Sequence, residues 1–203
     1  MIEPTLSIVL ATIGRKSLPD ALASCRGLGP RDELIVAIDN PQARIGEAML
    51  DVPFHLDSLV IGTVPGGPHR DWGGAARNWG MSHSRGDWLL FLDDDDAYVP
   101  GAITAIRRAL TDAPLVPHIF RMCYPDENRF LWRERKVEIG NVSTQMICVP
   151  NDKDRLGKWG KEHHNDYLFL VDTLAHYVGG PVWCEEIIQY VWPTEGKDGT
   201  SDF

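Results

Sequence analysis

Cysteine is scarce and scattered in this sequence. Cys25, Cys123, Cys148 and Cys184 lie far apart and form no Cys-x-x-Cys pair, which excludes the common zinc spacing and a dense disulfide framework. Reduced thiols fit a cytoplasmic protein. No apolar run approaches the ~18 residues that a membrane helix needs, and the N-terminus lacks the basic, apolar and small-residue regions of a signal peptide. The expectation is a soluble, cytoplasmic chain, in which the Asn141-Val142-Ser143 sequon is accidental. Positive charge is also in short supply. Lys and Arg number 20 against 29 Asp and Glu, and the net charge of −9 argues against an extensive polyanion-binding surface such as one for nucleic acid.

What is present is ordinary in amount and specific in arrangement. At 203 residues, with 43% apolar and 24% charged side chains, the chain suits one domain with a full hydrophobic core. Its first half alternates short apolar runs with helix-like segments, the pattern of a mostly parallel sheet with crossover helices. Strands are expected over 6–11, 34–38 and 88–92, with a weaker one over 54–61. Helices are expected from Leu18, where Ser17 can cap, over 41–51, over 73–84 and over 99–110. From about residue 113 the texture changes. Prolines increase, and the β-prone stretches 116–124 and 129–139 carry interleaved charges, as in a small antiparallel addition. A helix over 165–177, a strand over 182–191 and a mobile tail over 194–203 complete the reading. Trp132, Trp159, Trp183 and Trp192 fall in this half, where they either fill a core or stack on sugars.

The densest chemical signal is Asp93-Asp94-Asp95-Asp96, directly after the apolar run Trp88 to Leu92. Open α/β sheets bind ligands beyond the carboxyl ends of such strands. Four adjacent like charges cost stability unless a cation or hydrogen-bond donors offset the repulsion. Hard divalent cations prefer carboxylates, and Mg²⁺ or Mn²⁺ typically takes one or two of them with phosphate oxygens. A metal-bridged diphosphate is one reading, and a solvated acidic loop is the other. Thr12 and Arg15 after the first strand and Asp39 after the second are placed to face the same crevice.

Three segments carry a family resemblance. Ser7-Ile8-Val9-Leu10-Ala11-Thr12-Ile13-Gly14-Arg15 is similar to an opening strand and turn that usually ends Pro-Thr-Tyr-Asn-Arg, with Ala11 in place of the proline and Gly14 in place of the asparagine. Gly74-Ala75-Ala76-Arg77-Asn78-Trp79-Gly80 is similar to an Ala-Arg-Asn-x-Gly helix, and Gly86 to Asp96 to a strand with its Asp-x-Asp element. Together they resemble the family 2 glycosyltransferases of the GT-A type, over residues 5–110. The resemblance implies a nucleotide-diphospho-sugar-binding, Rossmann-like α/β sandwich in a single domain: residues 1–112 as the nucleotide-sugar half, 113–193 as the acceptor side, and 194–203 as the tail. It implies Mn²⁺ or Mg²⁺ on Asp95 and Asp93. Donor contacts would come from Thr12, Arg15, Asp39, Arg77, Asp93 and Asp94, with Asp39 receiving the imide proton of a uracil base and Asp96 behind the metal. Asp39 could instead cap the segment that begins at Pro41.

Glycosyl transfer also needs a base to take the acceptor hydroxyl's proton. In the resembling family this is an acidic residue of the second half, often within a Glu-Asp pair, and the nearest match here is Asn165-Asp166. Asp166 is the expected base, with inversion at the anomeric carbon. Glu162, His163 and Asp172 are alternatives, and His163 and His164 are candidate metal ligands. Asp166 could equally be a favourable residue at a helix start. The expected partners are a nucleotide-sugar donor, UDP-linked by preference, and a soluble saccharide, protein or other hydroxyl acceptor. Two rival classes are a non-catalytic carbohydrate-binding module, which needs no nucleotide, and a nucleotidyltransferase, against which counts the lack of a Gly-rich loop and Lys after the first strand.

Overall fold

The computed structural model describes residues 3–43, 45 and 56–192. Its elements run β1 (Leu6–Thr12), α1 (Leu18–Ser24), β2 (Glu33–Ile38), β3 (Ser58–Thr63), α2 (Gly74–His83), β4 (Trp88–Asp93), β5 (Ala97–Tyr98), α3 (Ala102–Leu110), β6 (His118–Tyr124), β7 (Arg129–Leu131), β8 (Ile147–Pro150), α4 (Asn165–Leu174) and β9 (Val182–Tyr190). One sheet orders the strands β3-β2-β1-β4-β8-β6-β9-β5, with β7 on β6. The four strands β3-β2-β1-β4 are parallel. All of their carboxyl ends therefore open on one side.

Alternation along the central strands splits the core into two layers. Leu6, Ile8 and Leu10 of β1 and Trp88, Leu90 and Leu92 of β4 pack with Leu18 and Leu22 of α1 and Ile103 and Ile106 of α3. Val9, Leu89 and Phe91 point to the other face, against Met81 of α2 and Phe169 and Leu170 of α4. Both faces are covered, so these strands are apolar throughout. The tryptophans of the second half mostly fill this second layer. Trp159 stacks on Phe169 with ring centroids 4.3 Å apart, and Trp132 meets Trp183 edge-on at 5.1 Å.

The sheet's amino end is pinned by buried carboxylates. Asp32 receives the Leu6 amide at 2.9 Å and the Arg107 guanidinium at 2.5 Å. Glu33 receives the Ser7 hydroxyl and the Arg85 amide, each at 2.6 Å. Burial alone would push the Glu33 carboxyl up; these donors outweigh it and hold it below the usual carboxylate range.

Several expectations need correction. Ser17 makes no side-chain cap on α1; its carbonyl instead accepts the Asp20 and Ala21 amides. The third helix begins at Ala102 because Ala97 and Tyr98 pair with β9. The stretch 129–139 leaves the sheet after Leu131, where Asn141 organises the loop: it accepts from the Arg133 amide and donates to the carbonyls of Glu134 and Lys136. Asn141 is buried, so the sequon is an internal loop tie. The added part is mixed rather than antiparallel throughout, because β6 and β9 run parallel while β8 pairs antiparallel to both β4 and β6. Strand β8 was not anticipated. The helix expected over 41–51 lies almost wholly outside the described residues, as do residues 54 and 55 of the third strand and the tail over 194–203.

Helix α2 lies unusually close to β1. A Cβ at Gly80 would come within 2.3 Å of Val9 Cγ1, so the backbone itself is the packing surface there. Gly80→Ala should force helix and strand apart and cost about 1–3 kcal/mol. A thermal melt of that variant should show a clear fall in Tm; an unchanged Tm contradicts the close contact.

Candidate active site

A cleft of about 720 Å³ opens at the carboxyl ends of β1, β2 and β4. It is lined by Thr12, Arg15, Asp39, Arg77, Asp93, Asp94 and Asp95, among others. Seven residues singled out from sequence thus share one wall. The four adjacent aspartates have different surroundings, which the sequence could not distinguish.

Asp94 is turned into the protein and holds the turn after β1. Its carboxylate accepts the Thr12 hydroxyl at 2.5 Å, the Ile13 and Arg15 amides at 3.1 and 3.3 Å, and the Arg15 guanidinium at 2.5 Å. Asp93 accepts from Arg77 Nη2 and, at 3.1 Å, from Gln145 Nε2. Asp96 is buried and accepts from the same Gln145 amide at 2.7 Å and from the Trp192 amide at 3.3 Å. Burial, then the charges of Asp93 and Asp95, push the Asp96 carboxyl well above the usual range. Asp95 faces the cleft with Arg15 Nε 3.9 Å from its carboxylate. Burial and the neighbouring Asp93 raise its carboxyl to about 6, against the opposing pull of Arg15. Gln145, which bridges two of the four, carried no signal in the sequence because it stands far from them along the chain.

Arg77 is a hub of the same lining. It projects from the second turn of α2, is 3% exposed, and donates to Asp93 and to the Trp72 carbonyl, the latter at 2.6 Å. Its guanidinium lies 4.9 Å from the centroid of the Trp159 ring, so an aromatic face supports the charge from behind. Arg15 is held charged. Burial works against the charge, but Asp94, Asp95 and Asp93 together raise the pKa.

Asp39 is closed in by a partner that was not foreseen. His69 donates its amide to Oδ2 at 3.1 Å, and its ring Nδ1 is 2.5 Å from Oδ1. Gly67 packs so tightly that a Cβ there would meet Oδ1 at 2.7 Å. The cap at the segment beginning with Pro41 is supplied by Asn40, whose Oδ1 accepts the Gln42 amide at 3.0 Å.

Asp166 lies in the first turn of α4, half-buried. Its Oδ1 accepts the Tyr167 amide at 2.7 Å. Burial raises its carboxyl, while the Tyr167 amide, the Arg77 charge and the Ser143 hydroxyl work the other way. Asp166 therefore feels the charge of Arg77, which also holds Asp93, but it is not among the residues that line the cleft. Its neighbour Asn165 donates to the carbonyls of Asp71 and Gly160, each at 3.2 Å, and ties α4 to the loop ahead of α2. Of the alternatives, Glu162 folds back on Gly160, Asp172 packs against Gly157, and His163 meets the exposed Trp72 ring edge-on at 4.7 Å. His164 is the residue preceding α4, and its carbonyl accepts the Leu168 amide. Among the described residues no group of three or more His, Cys, Asp or Glu is placed to hold a metal ion.

The model of the family described as "Glycosyl transferase family 2" matches residues 7–170. The chain belongs to glycosyl transferase family 2. A Haemophilus influenzae protein named an uncharacterized glycosyltransferase is 34% identical over 78 residues, 37% of this chain and 26% of that protein. The crystal structure of S. aureus TarS 1-349 in complex with UDP-GlcNAc is similar with a TM-score of 0.71 at 15% identity, over 98% of this chain and 61% of that one. The mannosyltransferase PcManGT from Pyrobaculum calidifontis, in complex with GDP-Man and Mn²⁺, gives 0.63 at 13% identity, over 98% and 59%. These likenesses show a shared fold of the GT-A type. The family 2 chain spans about a quarter of the curated relative and about three-fifths of the two solved chains.

The raised Asp95 carboxyl has a consequence for stability. Its folded value of about 6 exceeds the reference value of 3.8, so the folded state binds the proton more tightly, and stability falls as pH rises from about 4 through 6. At pH 7.5, without ligand, Asp95→Asn should raise stability by an amount on the order of 1–3 kcal/mol, and the gain should vanish near pH 4. Melts of both proteins across that range check the sign; a gain independent of pH contradicts it.

Proposed function

We propose that this chain transfers a sugar from a nucleotide-sugar donor, UDP-linked by preference, to an acceptor hydroxyl with inversion. The observation that carries this reading is the division of labour within the aspartate quartet, in a family 2 chain, at the mouth of a cleft large enough for a substantial ligand. Three carboxylates have close donors, and Asp95 faces the cleft with its charge poorly compensated. Such a carboxylate is completed by a cation.

The donor set fits a hard divalent ion. Asp95 and Asp93 offer carboxylate oxygens, and a site built from one or two carboxylates plus phosphate oxygens needs no cage of three protein ligands. When bound there, Mn²⁺ or Mg²⁺ supplies charge neutralisation for a leaving nucleoside diphosphate. The chain's own residues do the rest. Arg77 and Arg15 place fixed positive charge beside the diphosphate, held by Asp93 and Asp94 so that little reorganisation is needed during reaction. Thr12 shapes the turn that contacts the nucleoside, and Asp39, oriented by His69, faces the base.

Asp166 is the base. Burial raises its proton affinity above the ordinary carboxylate level, the direction a base needs, and its helix is anchored to the loop ahead of α2 through Asn165. A single in-line displacement follows, with the acceptor proton passing to Asp166 as the new bond forms at the anomeric carbon. The configuration inverts.

Two variants separate these roles. Asp95→Ala should remove cation-dependent donor binding while the circular dichroism of the fold is retained. Asp166→Asn should leave the donor Kd within about two-fold and lower kcat by roughly 10²–10⁴. Turnover at the wild-type rate in both variants contradicts the assignment. With active enzyme and acceptor, NMR of the product should show the anomeric configuration opposite to that of the donor; retention refutes Asp166 as a base in single displacement.

A further inference from the structure

Asp71 stands on the wall of the cleft and is 5% exposed. Its Oδ2 accepts the Ala75 amide at 2.8 Å, capping α2, and its carbonyl accepts Gly74 and Asn165. Its Oδ1 is buried with no hydrogen-bond partner. A carboxylate oxygen kept from water without a donor is costly, and native proteins rarely retain one without use. An uncharged amide at this position would keep the Ala75 contact and lower the cost of burial.

The position of this oxygen narrows what its missing donor can be. The Arg77 guanidinium bridges Asp93 and the Trp72 carbonyl, so Asp71 lies across a fixed positive charge from the aspartates. A second cation beside Arg77 is disfavoured by like-charge repulsion, whereas a neutral hydroxyl is not. On its other side Asp71 is tied by Asn165 to the helix start that carries Asp166. Resting on the function proposed above, the group that lies between a diphosphate at the aspartates and a base at Asp166 is the donor's sugar. We infer that Asp71 recognises the glycosyl group of the donor, its Oδ1 accepting a hydrogen bond from a sugar hydroxyl. Oδ1 is closed to solvent in this arrangement, so Trp72 or Gly73, which line the cleft next to Asp71 in the chain, must shift when the sugar binds. Asp71 is then a specificity residue: sugars that present a hydroxyl at that position are favoured over those that lack it.

The test is calorimetry on wild type and Asp71→Asn with Mn²⁺ and four pairs: UDP with UDP-GlcNAc, UDP with UDP-glucose, GDP with GDP-mannose, and dTDP with dTDP-glucose. Asparagine can still cap Ala75 through its carbonyl oxygen but offers an amide where Oδ1 stood. For the pair that binds best, the nucleoside diphosphate Kd should change less than two-fold, and the nucleotide-sugar Kd should rise ten-fold or more. The Tm of unliganded Asp71→Asn should match or exceed that of wild type. An unchanged ratio between the two Kd values overturns the inference. So does a parallel loss of both affinities with a lower Tm, which makes Asp71 a helix cap only. If no pair binds to wild type, the donor-site reading fails and this inference with it; if nucleotides bind and only the sugar ratio is insensitive, the donor site stands and Asp71 alone is misassigned.

Discussion

The cleft depends on how four consecutive carboxylates are kept from repelling the sheet apart. Each is given a different environment by a different part of the chain. Arg15 and the turn after β1 take Asp94, Arg77 takes Asp93, and Gln145 and the Trp192 amide take Asp96. Arg15 and Arg77, which hold two of the aspartates, are themselves oriented by those contacts. The acidic cluster therefore fixes its own pair of cations. Asp95 is what the pair leaves incompletely compensated, at a distance of 3.9 Å from Arg15.

The opposite end of the same sheet shows what a carboxylate looks like when it serves stability alone. Glu33 and Asp32 are more buried than Asp93 and Asp95, and hydroxyl, amide and guanidinium donors surround them. Glu33 is held below its usual range, while Asp95 is raised to about 6. At Glu33 the donors outweigh burial, whereas at Asp95 burial and the like charges of Asp93 and Asp94 outweigh Arg15. A site that accepts a cost in the empty state has somewhere to recover it when ligand arrives. Asp71, with one carboxylate oxygen capped and the other without a donor, follows the same logic on a smaller scale.

Much of this was legible in the sequence where local pattern and physics agree. The apolar runs at 6–11, 34–38 and 88–92 are strands because both faces of a parallel sheet are covered, and their polar ends converge because parallel strands finish on one side. The helix expected over 73–84 forms as Gly74–His83, its Ala-Arg-Asn element having been legible by family resemblance. What was not legible depends on contacts between distant residues. Gln145 bridges two aspartates 49 and 52 positions away, and His69 closes on Asp39 across 30. Strand β8 is a four-residue buried run, too short for periodicity to distinguish, and exists because it bridges β4 and β6. The four identical side chains of the quartet could be assigned to different environments only once the backbone had set where each one points.

The central proposal is electrostatic: Arg15 compensates Asp95 only in part, and the proposed divalent cation would complete it while carrying the donor's diphosphate. Calorimetric titration of UDP and GDP into the protein, with and without Mn²⁺, is the most direct measurement of that claim. The account predicts at least one nucleotide that binds ten-fold or more tightly when Mn²⁺ is present. Binding of the same strength in both conditions, or none in either, would contradict it.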